Sequence, residues 1–265
     1  MPLSRIEHPR LGVVWYRFEG PVQSSQPSFV HGMVTRLGGV SQAPFASLNL
    51  GGTVGDDAET VDENHRRLFE ALEIRPNRVV SPYQVHGAHV AAVGADDGGT
   101  TIPATDGLIT NQRNVALLLR FADCVPVLFH DPVHHVAGVA HAGWRGVAAG
   151  VVPAAITAMS EHFGSRPDDL WAGIGPAIGL DHYEVGPEVV TAIRHSSPDA
   201  RQVAVRQGGA WHVDLAAAVK LQLLDAGVHH IDHADLCTAC HTAEWYSHRA
   251  EKGATGRFGV IAMLA

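Results

Sequence analysis

Seven short apolar runs, separated by glycine, proline and polar residues, constrain the fold of this chain more than any other feature of its sequence. Runs of this length that are bounded by turn residues are typical of β-strands. The sequence therefore predicts strands at residues 13–18, 29–35, 78–83, 107–110, 115–120, 125–130 and 136–141. With 46% hydrophobic and 17% charged residues, the pattern favours one globular α/β or α+β domain over a coiled coil or a disordered chain.

Three other segments have the periodicity and the end signals of helices. They cover residues 60–72, 147–163 and 214–227. Thr60 and Glu63 have the spacing of a capping box, which places the start of the first helix at Thr60. The third helix is predicted to begin at an Asp N-cap and to stop at a Gly. No segment has the composition of an interdomain linker, so we expect residues 1–265 to form a single domain.

The charge of the chain and its apolar segments bear on the partners it can have. Nineteen Lys and Arg residues against 27 Asp and Glu give a net charge of −8, which is against a nucleic-acid binder held by phosphate neutralisation. The most apolar stretch, residues 115–129, is interrupted by Arg120 and Asp123, and residues 1–20 do not have the apolar core of a signal peptide. We therefore expect a cytoplasmic monomer or homodimer that binds neither membranes nor nucleic acid.

A histidine, a cysteine and a second histidine each end or interrupt a predicted strand beside a Gly or Pro. They are His86, Cys124 and His141. Two imidazoles and one thiolate suit zinc, and three protein ligands leave the fourth position open for catalysis. The alternatives are that these residues are ordinary core groups, or that Cys124 is a nucleophile activated by His141 or His86. A thiolate that coordinates a metal is a weak nucleophile, so the two chemical roles exclude each other in one state.

Polar residues near predicted turns are candidates for binding an anion or a sugar. Arg36 follows a strand in a Gly-rich turn, where its planar donors suit phosphate or a ribose hydroxyl, and Ser47 and Asn49 lie further along the same region. Arg145 follows His141 near a helix start and either binds an anionic ligand or pairs with Asp123. As ordinary turn residues, all of these would satisfy only local backbone groups or solvent.

The general acid is left open between two residues. Asp123, beside Cys124, is one candidate, although it can equally orient a metal ligand from outside the coordination shell, and His89 is the other.

A third reactive segment, residues 237–241 (CTACH), lies near the C-terminus. It formally matches a haem attachment pattern, with His229, His230 and His233 upstream. Haem attached in this way belongs to exported proteins, so we favour a second metal site or a redox-sensitive cysteine pair, Cys237 and Cys240.

Seven segments, in order, resemble the motif set of the laccase-domain family. This family was first described as multicopper polyphenol oxidases and is now described as purine nucleoside phosphorylases with adenosine deaminase activity. The segments are residues 35–41 (TRLGGVS), 47–50 (SLNL), 84–87 (QVHG), 122–126 (ADCVP), 141–146 (HAGWRG), 175–179 (GPAIG) and 255–257 (TGR). The resemblance implies an α+β fold of layered α/β/β/α architecture with mixed sheets, similar to that of cysteine deamidase toxins.

The resemblance also implies the roles of the candidate residues. His86, Cys124 and His141 match the family's metal ligands and are the implied catalytic residues, with zinc as the metal and copper as a substitute. The implied substrate contacts are those of Arg36, Ser47, Asn49 and Arg145. Cys237 and Thr238 match a Cys-Thr pair of the family, whereas Cys240 and His241 look like local variation.

The implied function is zinc-dependent phosphorolysis of adenosine, inosine and methylthioadenosine, with adenosine deamination. An alternative is an amidase that edits peptidoglycan precursors in the same pocket, since the bacterial branch of the family includes such a role. A lesser alternative is a copper polyphenol oxidase, but the histidines of this chain are scattered and do not form the paired motifs that several copper ions need.

Overall fold

The computed structural model describes residues 3–20, 29–197 and 199–265, and in them two large mixed sheets lie face to face between helical layers. The five α-helices of these ranges are α1 (Ala58–Ala71), α2 (Trp144–Ala149), α3 (Val151–Phe163), α4 (Pro187–Arg194) and α5 (Leu215–Asp225). The predicted α+β class and α/β/β/α layering are confirmed.

The first large sheet has seven strands and is mostly antiparallel. In spatial order they are β1 (Leu3–Glu7), β2 (Val14–Phe18), β3 (Phe29–Val34), β16 (Phe258–Leu264), β8 (Ala116–Phe121), β4 (Val79–Pro82) and β6 (Thr101–Ile102). The last three run parallel to one another, whereas Ile261 in β16 lies opposite Gly32 on one side and Leu118 on the other in antiparallel pairs.

The second large sheet has six strands, and a small sheet of three strands lies beside it. The six strands are β15 (His230–His233), β11 (Trp171–Ile174), β9 (Val125–Asp131), β10 (Val136–Ala142), β7 (Gly107–Thr110) and β5 (Val90–Ala92). The small sheet consists of β12 (Glu184–Val185), β14 (Ala210–Val213) and β13 (Ala204–Gln207). All seven predicted strands are present, with ends within one residue of the prediction.

Strands β8 and β9 are apolar on both faces because each lies inside its sheet between two packed layers. In β8, Leu117 and Leu119 face the core between the sheets, whereas Leu118 packs with Leu68 of α1 on the outer face. In β9, Leu128 faces the other sheet, and the alternate residues pack under α3 and α5. Strands buried on both faces read as continuous apolar runs, which is why they are recognisable in the sequence.

Two predicted helix boundaries are wrong. Helix α1 starts at Ala58, two residues before Thr60, because the Asp57 carboxylate accepts the Thr60 N–H and caps the helix. The predicted capping box is therefore absent, and Glu63 pairs with Arg66 and Arg67 instead.

The predicted helix 147–163 is two helices. The break falls at Gly150, which ends α2 and begins α3 with φ +82°, a left-handed conformation that glycine adopts without steric strain. The third prediction is confirmed: the Asp214 carboxylate accepts the Ala217 N–H at the start of α5, and the left-handed Gly227 follows its end.

In the part of the chain that the structure describes, no helix combines the length and apolarity that crossing a bilayer requires.

Candidate active site

The structure brings His86, Cys124 and His141 together, and we call these three residues the central cluster. His86 lies in the turn after β4, Cys124 lies where the chain passes from β8 in one sheet to β9 in the other, and His141 lies in β10. One potential ligand atom of each residue lies within 4.8 Å of those of the other two. The cluster therefore forms where the two sheets meet, from segments that are far apart in the sequence.

Asp106 holds the two histidines of the central cluster in place. Its Oδ1 atom lies 2.9 Å from His141 Nδ1 and accepts the His86 N–H at 2.9 Å, and its Oδ2 atom accepts the N–H groups of Val85 and Gly87. The Asp106 side chain is completely buried. Because Asp106 engages Nδ1, Nε2 is the nitrogen with which His141 can bind a metal, an arrangement common behind histidine ligands.

The backbone around the cluster is strained, and a glycine provides the space for the ligands. His86 and Asp123 have φ values of +61° and +83°, which non-glycine residues adopt at an energetic cost that often marks functional sites. A Cβ atom on Gly143 would lie 2.9 Å from His86 Cδ2 and 3.0 Å from Cys124 Sγ. Only a residue without a side chain leaves these two ligands in their observed positions.

The charges within the cluster favour an ionised thiol. Burial raises the pKa of Cys124, but the charge of His141 and hydrogen bonds from both histidines outweigh burial, so the net shift is downward. Burial lowers the pKa of His141, yet the charge of Cys124 and the hydrogen bond to Asp106 shift it upward overall. The cluster therefore carries an electron-rich sulfur beside imidazole nitrogens, a donor set that suits a zinc-class metal.

Arg36, Ser47 and Asn49, the predicted substrate contacts, are hydrogen-bonded to the protein itself. Arg36 donates to the Ala46 and Thr242 carbonyls and to Glu251, 2.9 Å away. Ser47 donates to the Arg36 carbonyl and accepts the Gly39 N–H. Asn49 is buried, and its Oδ1 atom accepts the N–H groups of Gly51 and Arg257. The groups expected to meet the substrate therefore also hold the surrounding turns.

Arg145 is exposed and stacks on the Trp144 ring, with its Cζ atom 4.3 Å from the ring centroid. Asp123, its suggested ion-pair partner, accepts hydrogen bonds from the Thr238 hydroxyl and the Arg249 N–H, each at 2.6 Å. Each oxygen of Asp123 therefore already accepts a hydrogen bond from the protein. His89, the other candidate for the general acid, has its Nδ1 atom 2.9 Å from Thr105 Oγ1.

Three further residues interact electrostatically with the site and were not found from the sequence. Burial and the charge of Cys124 raise the pKa of Tyr183, whereas Arg249 and Arg145 lower it. Burial lowers the pKa of Arg257, and the charges of Cys124 and Asp123 oppose that shift. Arg257 thus places positive charge near Cys124, and Arg145 and Arg249 place it near Tyr183, where it can attract an anion. Two of the three lie in segments that match family motifs, Arg249 in residues 246–249 (YSHR) and Arg257 in TGR, where they could have been considered.

A second group of potential ligands consists of His182, Cys237 and Cys240, which we call the CXXC cluster. Its ligand atoms also lie within 4.8 Å of one another. The two sulfurs lie 3.8 and 3.7 Å from His182 Nδ1. The sequence identified both cysteines but not His182, and the neighbouring His241 lies instead with its Nδ1 atom 2.9 Å from the Cys237 carbonyl.

Among the described residues, these two clusters are the groups of three or more His, Cys, Asp or Glu side chains placed to hold a metal. Each cluster has donors for a single ion. The upstream residues His229, His230 and His233 belong to neither cluster.

Comparisons with known proteins agree with the fold and the motifs. A family model described as multi-copper polyphenol oxidoreductase laccase matches residues 30–265. The purine nucleoside phosphorylase YlmD of Geobacillus stearothermophilus is 42% identical over 86% of this chain and 87% of its own length. The purine nucleoside phosphorylase SCO2081 of Streptomyces coelicolor is 42% identical over 85% of this chain and 91% of its own.

Solved structures are similar over almost the whole chain. The crystal structure of YlmD from Geobacillus stearothermophilus superposes with a TM-score of 0.92 at 37% identity and covers 99% of both chains. The Bacillus licheniformis protein YfiH superposes with a TM-score of 0.90 at 32% identity, over 97% of this chain and 98% of that one.

Proposed function

Because the chain belongs to the multi-copper polyphenol oxidoreductase laccase family, whose relatives above are named purine nucleoside phosphorylases, we propose that it is a purine nucleoside phosphorylase. The observation that carries the proposal is the central cluster: three side chains placed to hold a metal, two of them held by a buried carboxylate, with arginine charges acting nearby. The proposed substrates are adenosine, inosine and methylthioadenosine together with inorganic phosphate.

We assign zinc to the central cluster, with copper as a substitute. The fit rests on the donor set, on the Asp106 bond that leaves His141 Nε2 for a metal, and on the space that Gly143 leaves between His86 and Cys124. When bound, zinc supplies Lewis acidity at its open position, where it polarises an oxygen ligand or lowers the pKa of a water.

Phosphorolysis forms a bond between a phosphate oxygen and C1′ of the ribose and breaks the bond from C1′ to the purine nitrogen. The chain must therefore bind a phosphate anion next to the sugar and stabilise the departing purine. We assign Arg145, Arg249 and Arg257 to the phosphate, because their charges act at the cluster or at the adjacent Tyr183. Arginine is suited to this role by its planar set of donors.

Arg36, Ser47 and Asn49 then act on the substrate indirectly. Arg36 binds Glu251, and Asn49 accepts the N–H of Arg257, so both fasten the segment that carries Arg249 and Arg257. Ser47 fixes the turn on which Arg36 lies. We propose positioning roles for all three in place of the direct contacts that the resemblance implied.

Adenosine deamination is a second proposed activity of the same site. It requires a water to add at C6 of the purine and ammonia to leave, with no phosphate consumed. The two activities share the nucleoside but differ in the attacking group, so phosphate dependence separates them.

The test is chromatography of the products after metal-defined protein is incubated with adenosine or inosine, with and without phosphate. Adenine or hypoxanthine that appears only with phosphate supports phosphorolysis, and inosine formed from adenosine without phosphate supports deamination. The absence of turnover by folded, zinc-loaded protein would refute the proposal.

One observation favours a second candidate. His141 lies between Asp106 and Cys124 and interacts with both, an order of carboxylate, imidazole and thiol that also activates a cysteine nucleophile. The corresponding function is an amidase that acts on peptidoglycan precursors. Hydrolysis that survives metal removal but is abolished by thiol alkylation would favour this candidate over the phosphorylase.

A further inference from the structure

We propose that the CXXC cluster, formed by His182, Cys237 and Cys240, is a second metal site that binds a thiophilic ion of the zinc class. The proposal is independent of the function of the central cluster. Two thiols and an imidazole are ligands that zinc prefers, and a spacing of two residues between cysteines is typical of its structural sites.

The position of His182 distinguishes a metal site from a simple cysteine pair. His182 Nδ1 lies 3.8 Å from Cys237 Sγ and 3.7 Å from Cys240 Sγ, so the imidazole is almost equally far from the two sulfurs. All three ligand atoms lie within 4.8 Å of one another, although His182 is 55 residues before Cys237. A disulfide needs only the two cysteines, whereas this arrangement brings a third donor to the same point.

The backbone holds the two halves of the cluster together without help from a metal. Ala177 and Cys237 form a parallel bridge, in which the Ala177 N–H donates to Leu236 and the Thr238 N–H donates to Ala177. The 3-10 helix Leu180–His182 follows directly and carries the histidine. The donors are therefore placed by main-chain hydrogen bonds, and an ion would bind with little reorganisation.

The surroundings of Cys237 suit a metal-bound thiolate. The Gly179 N–H donates to Cys237 Sγ at 3.2 Å, and a hydrogen bond of this kind stabilises negative charge on sulfur. Cys240 and His182 are exposed, which gives an ion free access. The three protein ligands leave one position of a tetrahedral site for water or for a further donor.

A metal at this position would fasten the segment before Tyr183 to the turn at Cys237. Thr238, next to Cys237, donates to Asp123, which precedes Cys124 of the central cluster. Tyr183 follows His182, and the charge of Cys124 contributes to raising its pKa. The CXXC cluster is therefore placed to stabilise one side of the candidate active site without touching the reacting groups.

The experiment uses the full-length chain, reduced, stripped of metal with a chelator and titrated with Co²⁺ and then with Zn²⁺. The Cys124→Ala background removes the sulfur of the central cluster, so any charge-transfer absorption from thiolate to Co²⁺ reports Cys237 and Cys240. We expect one saturable Co²⁺ site with this absorption, displaced by Zn²⁺. Adding Cys240→Ser should reduce the absorption by about half or abolish it, because one of the two thiolates is removed.

His182→Ala is compared with His241→Ala, its matched control, because both are exposed histidines beside the two cysteines. In the same background, His182→Ala should weaken Co²⁺ binding by about 10- to 100-fold, the range seen when even outer-shell partners are lost, and His241→Ala should not. Zn²⁺ should raise the unfolding temperature of the Cys124→Ala variant. It should not raise that of the double variant, Cys124→Ala with Cys240→Ser.

Three results would overturn the proposal. One is the absence of saturable charge-transfer absorption in reduced Cys124→Ala protein. Another is an equal effect of the two histidine variants, which would show that His182 is not a ligand. The third is a Cys237–Cys240 disulfide that forms in preference to the metal complex when Zn²⁺ is present.

Discussion

The central cluster and the CXXC cluster contain the same kinds of donors but are built in opposite ways. The central cluster takes its donors from three distant segments, and Asp106 fixes the two histidines through four hydrogen bonds to His141 and the 85–87 turn. The CXXC cluster takes two donors from a single turn, and its cysteines and histidine lie close to the surface. The first construction suits catalysis, which needs ligands held under strain with one position open, and the second suits a structural site.

The largest expected effect comes from removing the only sulfur of the central cluster. Cys124→Ala should abolish metal retention at the central cluster and phosphorolysis together, while the protein stays folded, because only one small side chain is shortened. Metal content by mass spectrometry and product chromatography test this. Cys240→Ala is the matched control and should keep its turnover. Full activity of Cys124→Ala would show that the reaction takes place elsewhere.

The next largest effect is expected from changing Asp106, the buried carboxylate that holds the two histidines of the central cluster. Asp106→Asn keeps the shape of the side chain but loses its charge and part of its acceptor capacity toward His141 and the 85–87 turn. We expect zinc affinity to fall by about 10- to 100-fold and the free energy of unfolding to fall by about 1–3 kcal/mol. Competition with a chromogenic chelator and denaturant unfolding measure the two quantities.

Asp131 offers a close control for Asp106. Its buried carboxylate likewise accepts backbone N–H groups, from Val133 and His134, and contacts the His134 ring at 3.0 Å, but it lies at the far end of β9. Asp131→Asn should therefore reduce stability and leave zinc affinity unchanged. If both variants lost zinc affinity equally, the effect of Asp106 would be general destabilisation and not ligand orientation.

A smaller effect is expected from the glycine that separates two ligands of the central cluster. Gly143 has an ordinary φ of −74°, so alanine fits its backbone conformation, but the added Cβ would press on His86 and Cys124. We expect weaker zinc binding and a stability loss of about 1–3 kcal/mol, as in other overpacked sites. Gly52→Ala is the control, because its Cβ would meet nothing within 4 Å. Unchanged zinc affinity in Gly143→Ala would mean that the ligands move apart freely.

The sequence predicts the strands of this molecule better than its helix ends and its supporting residues. Buried strands are recognisable in the sequence as apolar runs. The start of α1, in contrast, depends on which of two nearby polar residues, Asp57 or Thr60, caps the helix. Helix α4 was not predicted, although the Pro at its first position is a usable start signal.

The same limit applies to the two clusters. The motifs indicated the three residues of the central cluster, but Asp106 acts through hydrogen bonds to residues about 20 and 35 positions away, which no local pattern encodes. His182 is still more remote in sequence from Cys237, at 55 residues. Arg36 shows a different limit: the motif indicates a residue that suits phosphate chemically, but not that its side chain bonds to Glu251 and two carbonyl groups.

The smallest expected effect on catalysis comes from Cys240→Ser, and it decides whether the two clusters act independently. The variant should bind one zinc ion fewer and unfold at a lower temperature, yet show unchanged kcat and KM for phosphorolysis, because Cys240 contacts neither the central cluster nor the arginines around it. Metal content, thermal unfolding and steady-state kinetics test the three expectations. A buried hydrogen bond links the two clusters: the Thr238 hydroxyl, next to Cys237, donates to Asp123, next to Cys124. A reduced kcat in Cys240→Ser would therefore contradict independence, and Thr238→Val, which removes that bond, should then reproduce the loss while leaving the CXXC cluster able to bind its ion.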